Sequence, residues 1–257
     1  MKHNYAICMS DMHMYRYASF YNIKLIFYGE NQAEYGNPKS NNKTPKMSSE
    51  FYASTNKDKI FLGGCSLSEL SEVGLSPKDW DTYLPIDNQV LEEKEIKYLY
   101  LGYYEKWHPQ GAYYYSVENG GFQGAPERTC GTYNTYNSID DKVDDFHYHT
   151  TFIKFGIGRA SYDAALDIRS GDLTREEGVA LVNKYDGEFP SRWADQIFSY
   201  LSIPPEEFQK SSRFFEKPIF DSKYYEDLCN KFRSPHLWYW DDILEKWFLR
   251  NTVSFNN

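Results

Sequence analysis

The sequence predicts a small α/β segment followed by a mainly α-helical domain, and three observations carry that expectation. Near the N-terminus Asn22 opens IKLIFYGEN, a compact apolar run of the kind a buried parallel strand shows. A second β-prone run, KYLYLGYY, spans 97–104. After residue 139 the apolar residues recur at helical spacing, with helix-opening residues at Thr174 and Glu177 and prolines at 190, 204 and 205, so at least five helices are expected there.

Before the first strand, 11–20 (DMHMYRYASF) reads as a short helix. The strand runs into Gly29-Glu30-Asn31. In open α/β sheets ligands sit at the carboxyl ends of strands, so Glu30 and Asn31 are either contact residues or the start of a turn. Asn37–Lys46 (NPKSNNKTPK) is a polar, proline-bearing stretch suited to a boundary. Ser66 and Glu69 have capping-box spacing at the head of SLSELSEVG, and Pro77 permits a helical turn toward Asp79 and Trp80. After Trp107 and Pro109 the chain passes into a Gly-, Tyr- and Asn-rich stretch, 110–138, that reads as one long structured loop. Arg128 is its only positive charge, beside Glu118 and Glu127. Such a loop suits a sugar or sugar-nucleotide ligand, and equally a packed surface.

Residues 140–171 read as one amphipathic helix. Ile153, Ile157, Ala160, Ala164 and Ile168 form an apolar stripe, while Asp145, Lys154, Arg159, Asp163 and Asp167 lie on another side. Gly156 and Gly158 each cost about 1 kcal/mol relative to Ala in a helix interior. Close approach of a neighbouring helix or of a ligand would account for them. Arg159 and Asp163, four apart, are either ligand-facing or an i,i+4 ion pair. Thr174 and Glu177 form a second capping box with Gly187 as a helix stop, and Pro190 and Pro204-Pro205 begin further short helices. The chain closes with Arg233 and His236 around a helix-ending proline in KFRSPHLW.

The totals exclude several classes. A net charge of −9 without clustered Lys and Arg argues against nucleic-acid binding by phosphate neutralisation. Cys8, Cys65, Cys130 and Cys229 are 57, 65 and 99 residues apart, a spacing of no disulfide or zinc framework, and reduced thiols in the cytoplasm are expected. No signal peptide and no apolar run near 18 residues is present, so neither secretion nor a membrane span is expected. With 24 Tyr and 17 Phe, half-buried rings with hydroxyls turned to polar partners are expected. His147 and His149, two apart on a helix, point about 200° from each other, so no metal site is expected. No nucleophilic triad or Walker motif occurs, and Gly156-Ile157-Gly158 lacks the third glycine of a dinucleotide fingerprint.

Six stretches together carry a resemblance: IKLIFYGENQAEYG, LGGCSLSEL, YLGYYEKWHPQGAYYYSVENGGF, PERTCGTYNTYNSIDDKVDDFHYH, IKFGIGRASYDAALDIRSGDLTREEGVALVNKYDGEFP and KFRSPHLW. The chain resembles the C-terminal two-thirds of the N-acetyl sugar amidotransferases, bacterial enzymes of surface-polysaccharide (lipopolysaccharide O-antigen) biosynthesis in the pyrophosphatase-loop superfamily. The resemblance implies the C-terminal part of an adenine nucleotide α-hydrolase-like fold. Residues 1–45 would be the last strand and helix of a Rossmann-like nucleotide-binding domain, and 46–257 a mainly helical substrate-side domain. It implies ATP, with Mg, and conversion of an acetamido to an acetamidino group on a nucleotide-linked diacetamido sugar, with ammonia supplied by a glutaminase partner.

Carried onto this chain, the resemblance makes Glu30, Asn31, Glu34 and Tyr35 candidates at the nucleotide rim. Glu30, Lys154, Arg159 and Asp163 become candidate catalytic residues, and Glu118, Arg128, Lys142 and His147 candidate sugar contacts. The chain departs from the family in carrying neither the cysteine-rich segment nor the SGGxDS-type loop that holds ATP phosphates, and in placing Cys130 where relatives are expected to have an acidic residue. Productive ATP binding is therefore expected to need a separate ATP-loop chain, and the strand at 23–28 is expected at an exposed or re-paired edge that favours association, including homo-oligomers. The alternative reading is a non-catalytic sugar-nucleotide-binding or scaffold protein, or an inactive fragment of an interrupted gene.

Overall fold

A computed structural model of the chain describes residues 14–29, 43–49, 52–54, 56–211 and 216–254. The chain divides into two compact units, Met1–Trp107 and His108–Asn257. No helix among the described residues is long and apolar enough to cross a membrane.

The first unit is built on a parallel pair, β1 (Leu25–Tyr28) and β4 (Lys97–Tyr100), in register from Leu25 opposite Lys97 to Tyr28 opposite Tyr100. Both expected strands form. Helix α1, helical through residues 14–20, precedes β1. The hairpin β2 (Phe61–Leu62) and β3 (Cys65–Ser66) and helices α2 (Leu67–Glu72), α3 (Pro77–Trp80) and α4 (Asn88–Glu93) fill the crossover. The Ser66–Glu69 capping box is present, and the helical turn from Pro77 reaches Trp80 as expected. On the far side of β4, Lys46 bridges Leu99, so among the described residues β1 has one strand neighbour and forms an edge. One sheet face packs into an aromatic core in which Tyr15 stacks on Tyr52 at 4.1 Å and meets the edge of Tyr98 at 5.0 Å. Leu25 and Phe27 point the other way and are 46% and 49% exposed, so β1 is not the fully buried strand its apolar run predicts.

The second unit is helical with one β-hairpin: α5 (Pro109–Gly120), α6 (Asp144–Phe155), α7 (Arg159–Ser170), α8 (Arg175–Tyr185), α9 (Ala194–Leu201), α10 (Pro205–Ser211), α11 (Ser222–Phe232), β5 (Trp238–Asp241) and β6 (Lys246–Leu249). Among the described residues six α-helices follow residue 139, with the Thr174–Glu177 capping box formed at α8. Its core joins Phe146 and Ile153 of α6 to Ile197 and Phe198 of α9 and Tyr224, Tyr225 and Cys229 of α11.

Three expectations are corrected. First, 110–138 is not one loop, because its first part is α5. Pro109 sits at the first helical position, where its missing N–H costs nothing, and His108 Nδ1 accepts the Gly111 N–H at 2.8 Å as a cap. Second, the helix at 140–171 is two helices. Gly156 adopts φ +73 and closes α6, with its N–H donating to the Phe152 carbonyl at 2.8 Å, and Gly158 opens α7. The stripe therefore breaks, leaving Ile157 46% exposed while Ile153, Ala160 and Ala164 are buried. The neighbour that needs a glycine is a carboxylate: a Cβ on Gly158 would lie 2.7 Å from Asp186 Oδ1. Third, the C-terminal third is not helical throughout. Trp238 pairs with Leu249 through Asp241 with Lys246, and the Asp241 carboxylate closes the turn by accepting the N–H groups of Ile243 and Leu244. Trp238 Nε1 donates to the Ile153 carbonyl at 2.8 Å, anchoring the hairpin to α6.

Asp186 caps α7 from a distance. Its carboxylate accepts the Gly158 and Ser161 N–H groups, each at 3.1 Å, and the Ser161 hydroxyl at 2.5 Å. Those are orphan donors of a helix start that has no capping side chain of its own. Asp186→Ala is expected to lower unfolding stability by about 1–2 kcal/mol, read as a lower urea midpoint at unchanged slope. An unchanged midpoint would show that α7 needs no such cap.

Candidate functional site

The chain after α5 has no regular structure until Asp144, and its backbone is held by a set of side-chain anchors. Asp163, buried on α7, accepts from Thr132 Oγ1 at 2.5 Å, Asn134 Nδ2 at 2.7 Å and Asn137 Nδ2 at 3.2 Å. One turn along, Asp167 accepts the Tyr133 hydroxyl at 2.6 Å. The Ala160 N–H donates to the Gly131 carbonyl at 2.9 Å, so the loop takes one of the free donors at the start of α7. Arg159 extends the network, with Nε 3.4 Å from Asp163 Oδ1, Nη1 3.6 Å from Asp144 Oδ2 and its guanidinium 4.2 Å above the Tyr148 ring. Burial raises the Asp163 pKa, and Arg159 and the Thr132 and Asn137 hydrogen bonds oppose it.

A second anchor faces the other way. Arg128 forms a two-pronged pair with Glu188, both contacts at 2.6 Å, and lies 4.7 Å over the Tyr185 ring. Glu188 Oε2 also accepts the Gly131 N–H at 2.8 Å. This pairing, led by the Arg128 hydrogen bonds, lowers the Glu188 pKa below the ordinary carboxylate value. Between loop residues 125–142 and the segment 188–193 lies a cleft of about 690 Å³. Lys142, Asp145, Phe189, Arg192 and Trp193 line it, and Lys142 and Arg192 sit 4.6 and 4.7 Å over the Trp193 ring. Cys130 also lines it. Burial, reinforced by Glu188, pushes this thiol up to about 12, so it is no thiolate nucleophile near neutrality.

Asp145 is the cleft's unusual carboxyl. It is 8% exposed, and no hydrogen bond to its carboxylate exists among the described residues, whereas its neighbour Asp144 holds Ser138 Oγ and Arg159. Burial first, and then Asp144, raises its pKa from 3.8 to about 6.

Of the residues expected at a site, the structure brings Arg128 and Lys142 to the cleft. Arg159 and Asp163 form the i,i+4 pair and secure the loop. Glu118 on α5 and His147 and Lys154 on α6 are exposed, and none of them lines the cleft. Glu30, Asn31, Glu34 and Tyr35 lie outside the described residues. Among the described residues no group of three His, Cys, Asp or Glu side chains is placed to hold a metal. His149 is engaged with the Tyr225 hydroxyl at 2.7 Å, and burial lowers its pKa to about 4, leaving it neutral. Sequence reasoning missed Asp145, Glu188, Arg192 and Trp193 as site residues. The available signal for the last three was their position just after the α8 stop, facing a loop some sixty residues earlier in the chain.

Two expectations follow for stability. Asp163→Asn puts an N–H₂ group against the Asn134 and Asn137 donors, and is expected to cost about 2–4 kcal/mol, with faster amide exchange concentrated in 129–138. Uniform exchange changes would refute the anchoring role. For Asp145 the sign is the reverse. Its folded pKa lies above the unfolded one, so the native state is favoured by protonation; the penalty is absent below about pH 4, grows between about 4 and 6 and is full above. Asp145→Asn should therefore stabilise the protein by about 1–2 kcal/mol at pH 7 and by nothing near pH 3.5, as measured by chemical denaturation at both pH values.

No curated protein matches the chain. Residues 130–251, from the cleft thiol to just past the end of β6, match the family model of the LPS biosynthesis protein WbpG-like, C-terminal domain, and it is to that domain of LPS biosynthesis proteins that this part of the chain is similar.

Proposed function

We propose that the second unit is the substrate-side domain of an ATP-dependent N-acetyl sugar amidotransferase of lipopolysaccharide O-antigen biosynthesis, with the sugar seated in the cleft beside Trp193. The observation that carries this reading is the cleft itself: an aromatic face, carboxylates and three cations, largely within a region whose sequence is WbpG-like. An acetamide is a poor electrophile; ATP, when bound, would supply a leaving group by adenylating the amide oxygen with release of pyrophosphate, and ammonia would then displace AMP to leave an amidine. The residues of this chain bind and orient the sugar. Lys142 and Arg192 lie over the indole and hold its plane, which offers a flat apolar surface to a sugar ring. Asp140, Asp141 and Glu127 supply acceptors for its hydroxyl and amide N–H groups.

The cleft has five carboxylates (Glu127, Asp140, Asp141, Asp145, Glu188) against three cations (Arg128, Lys142, Arg192), a balance that suits the sugar better than a diphosphate. The nucleotide belongs beyond β1, at Glu30, Asn31, Glu34 and Tyr35, in what we read as the C-terminal part of an adenine nucleotide α-hydrolase-like fold. Its phosphates, with Mg, are held by a loop outside these 257 residues, and ammonia comes from a glutaminase partner. A second reading, a non-catalytic sugar-nucleotide-binding protein, is favoured by one observation, the lack of a phosphate-cradling motif in the sequence.

Calorimetry with UDP- or CMP-linked diacetamido sugars is expected to show weak binding that Trp193→Ala weakens about tenfold, equivalent to about 1.4 kcal/mol. Equal binding by Trp193→Ala, or full competition by the free nucleotide, would remove the sugar from the cleft. Restoration of ATP–pyrophosphate exchange by an added loop-bearing chain separates the enzyme reading from the binding-protein reading, and robust exchange by this chain alone would overturn the need for a second loop.

A further inference from the structure

We infer that Asp145 forms, within the cleft, a binding site for a nitrogen cation that carries N–H donors, of the ammonium or amidinium class. The first argument is hydrogen-bond accounting. Asp163, Asp186 and Glu188, the carboxylates that organise this unit, each accept from two or more protein donors at 2.5–3.2 Å. Asp145 is more than nine-tenths buried, lines the cleft and accepts from none among the described residues. Its carboxylate oxygens are not sealed from solvent; with most of the residue buried and no protein donor in reach among the described residues, their hydration through the cleft is incomplete, and a donor-bearing cation arriving there would complete it. The cleft is the open side from which one can arrive.

The second argument is what the neighbouring cations do. Arg128 is committed to Glu188 through both prongs, Arg192 lies 3.3 Å from Glu127, and Lys142 donates to Gln196 at 3.0 Å. None of them hydrogen-bonds Asp145, and an anionic ligand would meet an excess of two negative charges. Phe189 and Trp193 add aromatic surface, which favours an organic cation over a bare metal ion. The site stands on these observations alone. Its place in a reaction rests on the amidotransferase reading, where the nitrogen bound here is that of incoming ammonia or of the amidinium group formed from it.

The test titrates the whole chain with acetamidinium, with methylammonium and with neutral acetamide, followed by amide chemical shifts. Acetamidinium is expected to give saturable shifts centred on 144–146 at pH 7, and acetamide none. Methylammonium binding as tightly as acetamidinium assigns the site to ammonium, and weaker binding assigns it to amidinium. A cation favours the ionised carboxyl, so affinity should fall at least fivefold from pH 7 to pH 5. The titratable and charged groups around Asp145 are Asp144 on α6, the neutral Cys130 thiol, Arg128, Asp140, Asp141 and Lys142 on the loop, Glu188 and Arg192 opposite, and Arg159 on α7. Among the cleft carboxyls it is Asp145 whose pKa is raised to about 6, which places it in that window.

Asp145→Asn should abolish saturation, while Glu206→Gln, at an exposed carboxylate of α10 that does not line the cleft, should leave affinity within twofold. Binding by acetamide equal to that of acetamidinium, a flat pH dependence, or equal losses in the two variants would overturn the inference, and the first two need no variant. Loss of sugar-nucleotide binding with cation binding intact would count against the proposed function only. The converse pattern would count against this inference only.

Discussion

The cleft depends on one buried carboxylate. Asp163 takes donors from three residues of a segment that has no repeating structure, and a hydrogen bond to a charged group contributes about 1.5–3 kcal/mol net. A loop with many backbone N–H and C=O groups cannot be buried unless those groups are satisfied. Here the side-chain anchors place the backbone so that its own bonds form: Ala125 N–H to the Thr135 carbonyl at 2.7 Å, and Thr129 N–H to Asn134 at 3.0 Å. With the loop fixed against α7 on one side and clamped by Arg128–Glu188 on the other, the wall carrying Lys142 and Asp140 has one position. The geometry of the candidate site is thus a consequence of loop anchoring and not of helix packing.

Much of the chain's negative charge in this unit is structural. Asp163 holds the loop, Asp186 stands in for a missing helix cap, and Glu188 joins the loop to the end of α8. In each case the carboxylate offers several lone pairs to fixed N–H and O–H donors, which a solvated surface charge does not do. Apart from the exposed Lys154, the charged side of the segment at 140–171 is accordingly not a solvated face. Asp145, Asp163 and Asp167 are buried, and Arg159 is shielded against Tyr148.

What was legible in the sequence followed from local rules. The capping boxes at Ser66 and Thr174 and the helical turn at Pro77 depend only on residues within a turn of one another, and all three form. The features missed were those in which two local rules competed. Pro109 read as the entry to a loop and also suited the first position of a helix. Gly156-Ile157-Gly158 read as weak helix interior and also as a C-terminal glycine followed by a new start. The aromatic runs on either side of Asp241, WYW and WF, are β-prone, yet they lie in a region of helical spacing. For the site, Arg128 and Lys142 were legible from residue type in the loop, whereas Glu118, His147 and Lys154 show that type alone does not say which way a helix turns a side chain. Glu188, Arg192 and Trp193 depend on long-range docking, and the sequence marks only their position just after the α8 stop.

Asp144 and Asp145 show why burial decides chemistry where sequence does not. Both stand in the first turn of α6, where the helix dipole favours a negative charge by about 0.3–1 kcal/mol. Asp144 is partnered by Ser138 and Arg159, and its charge is thereby accommodated. At Asp145 the pKa rises to about 6 in spite of the dipole and of Arg192 and Arg159, so desolvation outweighs all three. An asparagine there would offer the same shape without that cost. A carboxyl kept at a net energetic loss, and lining a cleft from which an external donor can reach it, belongs to the class of groups whose energetics are settled by a ligand and not by the fold.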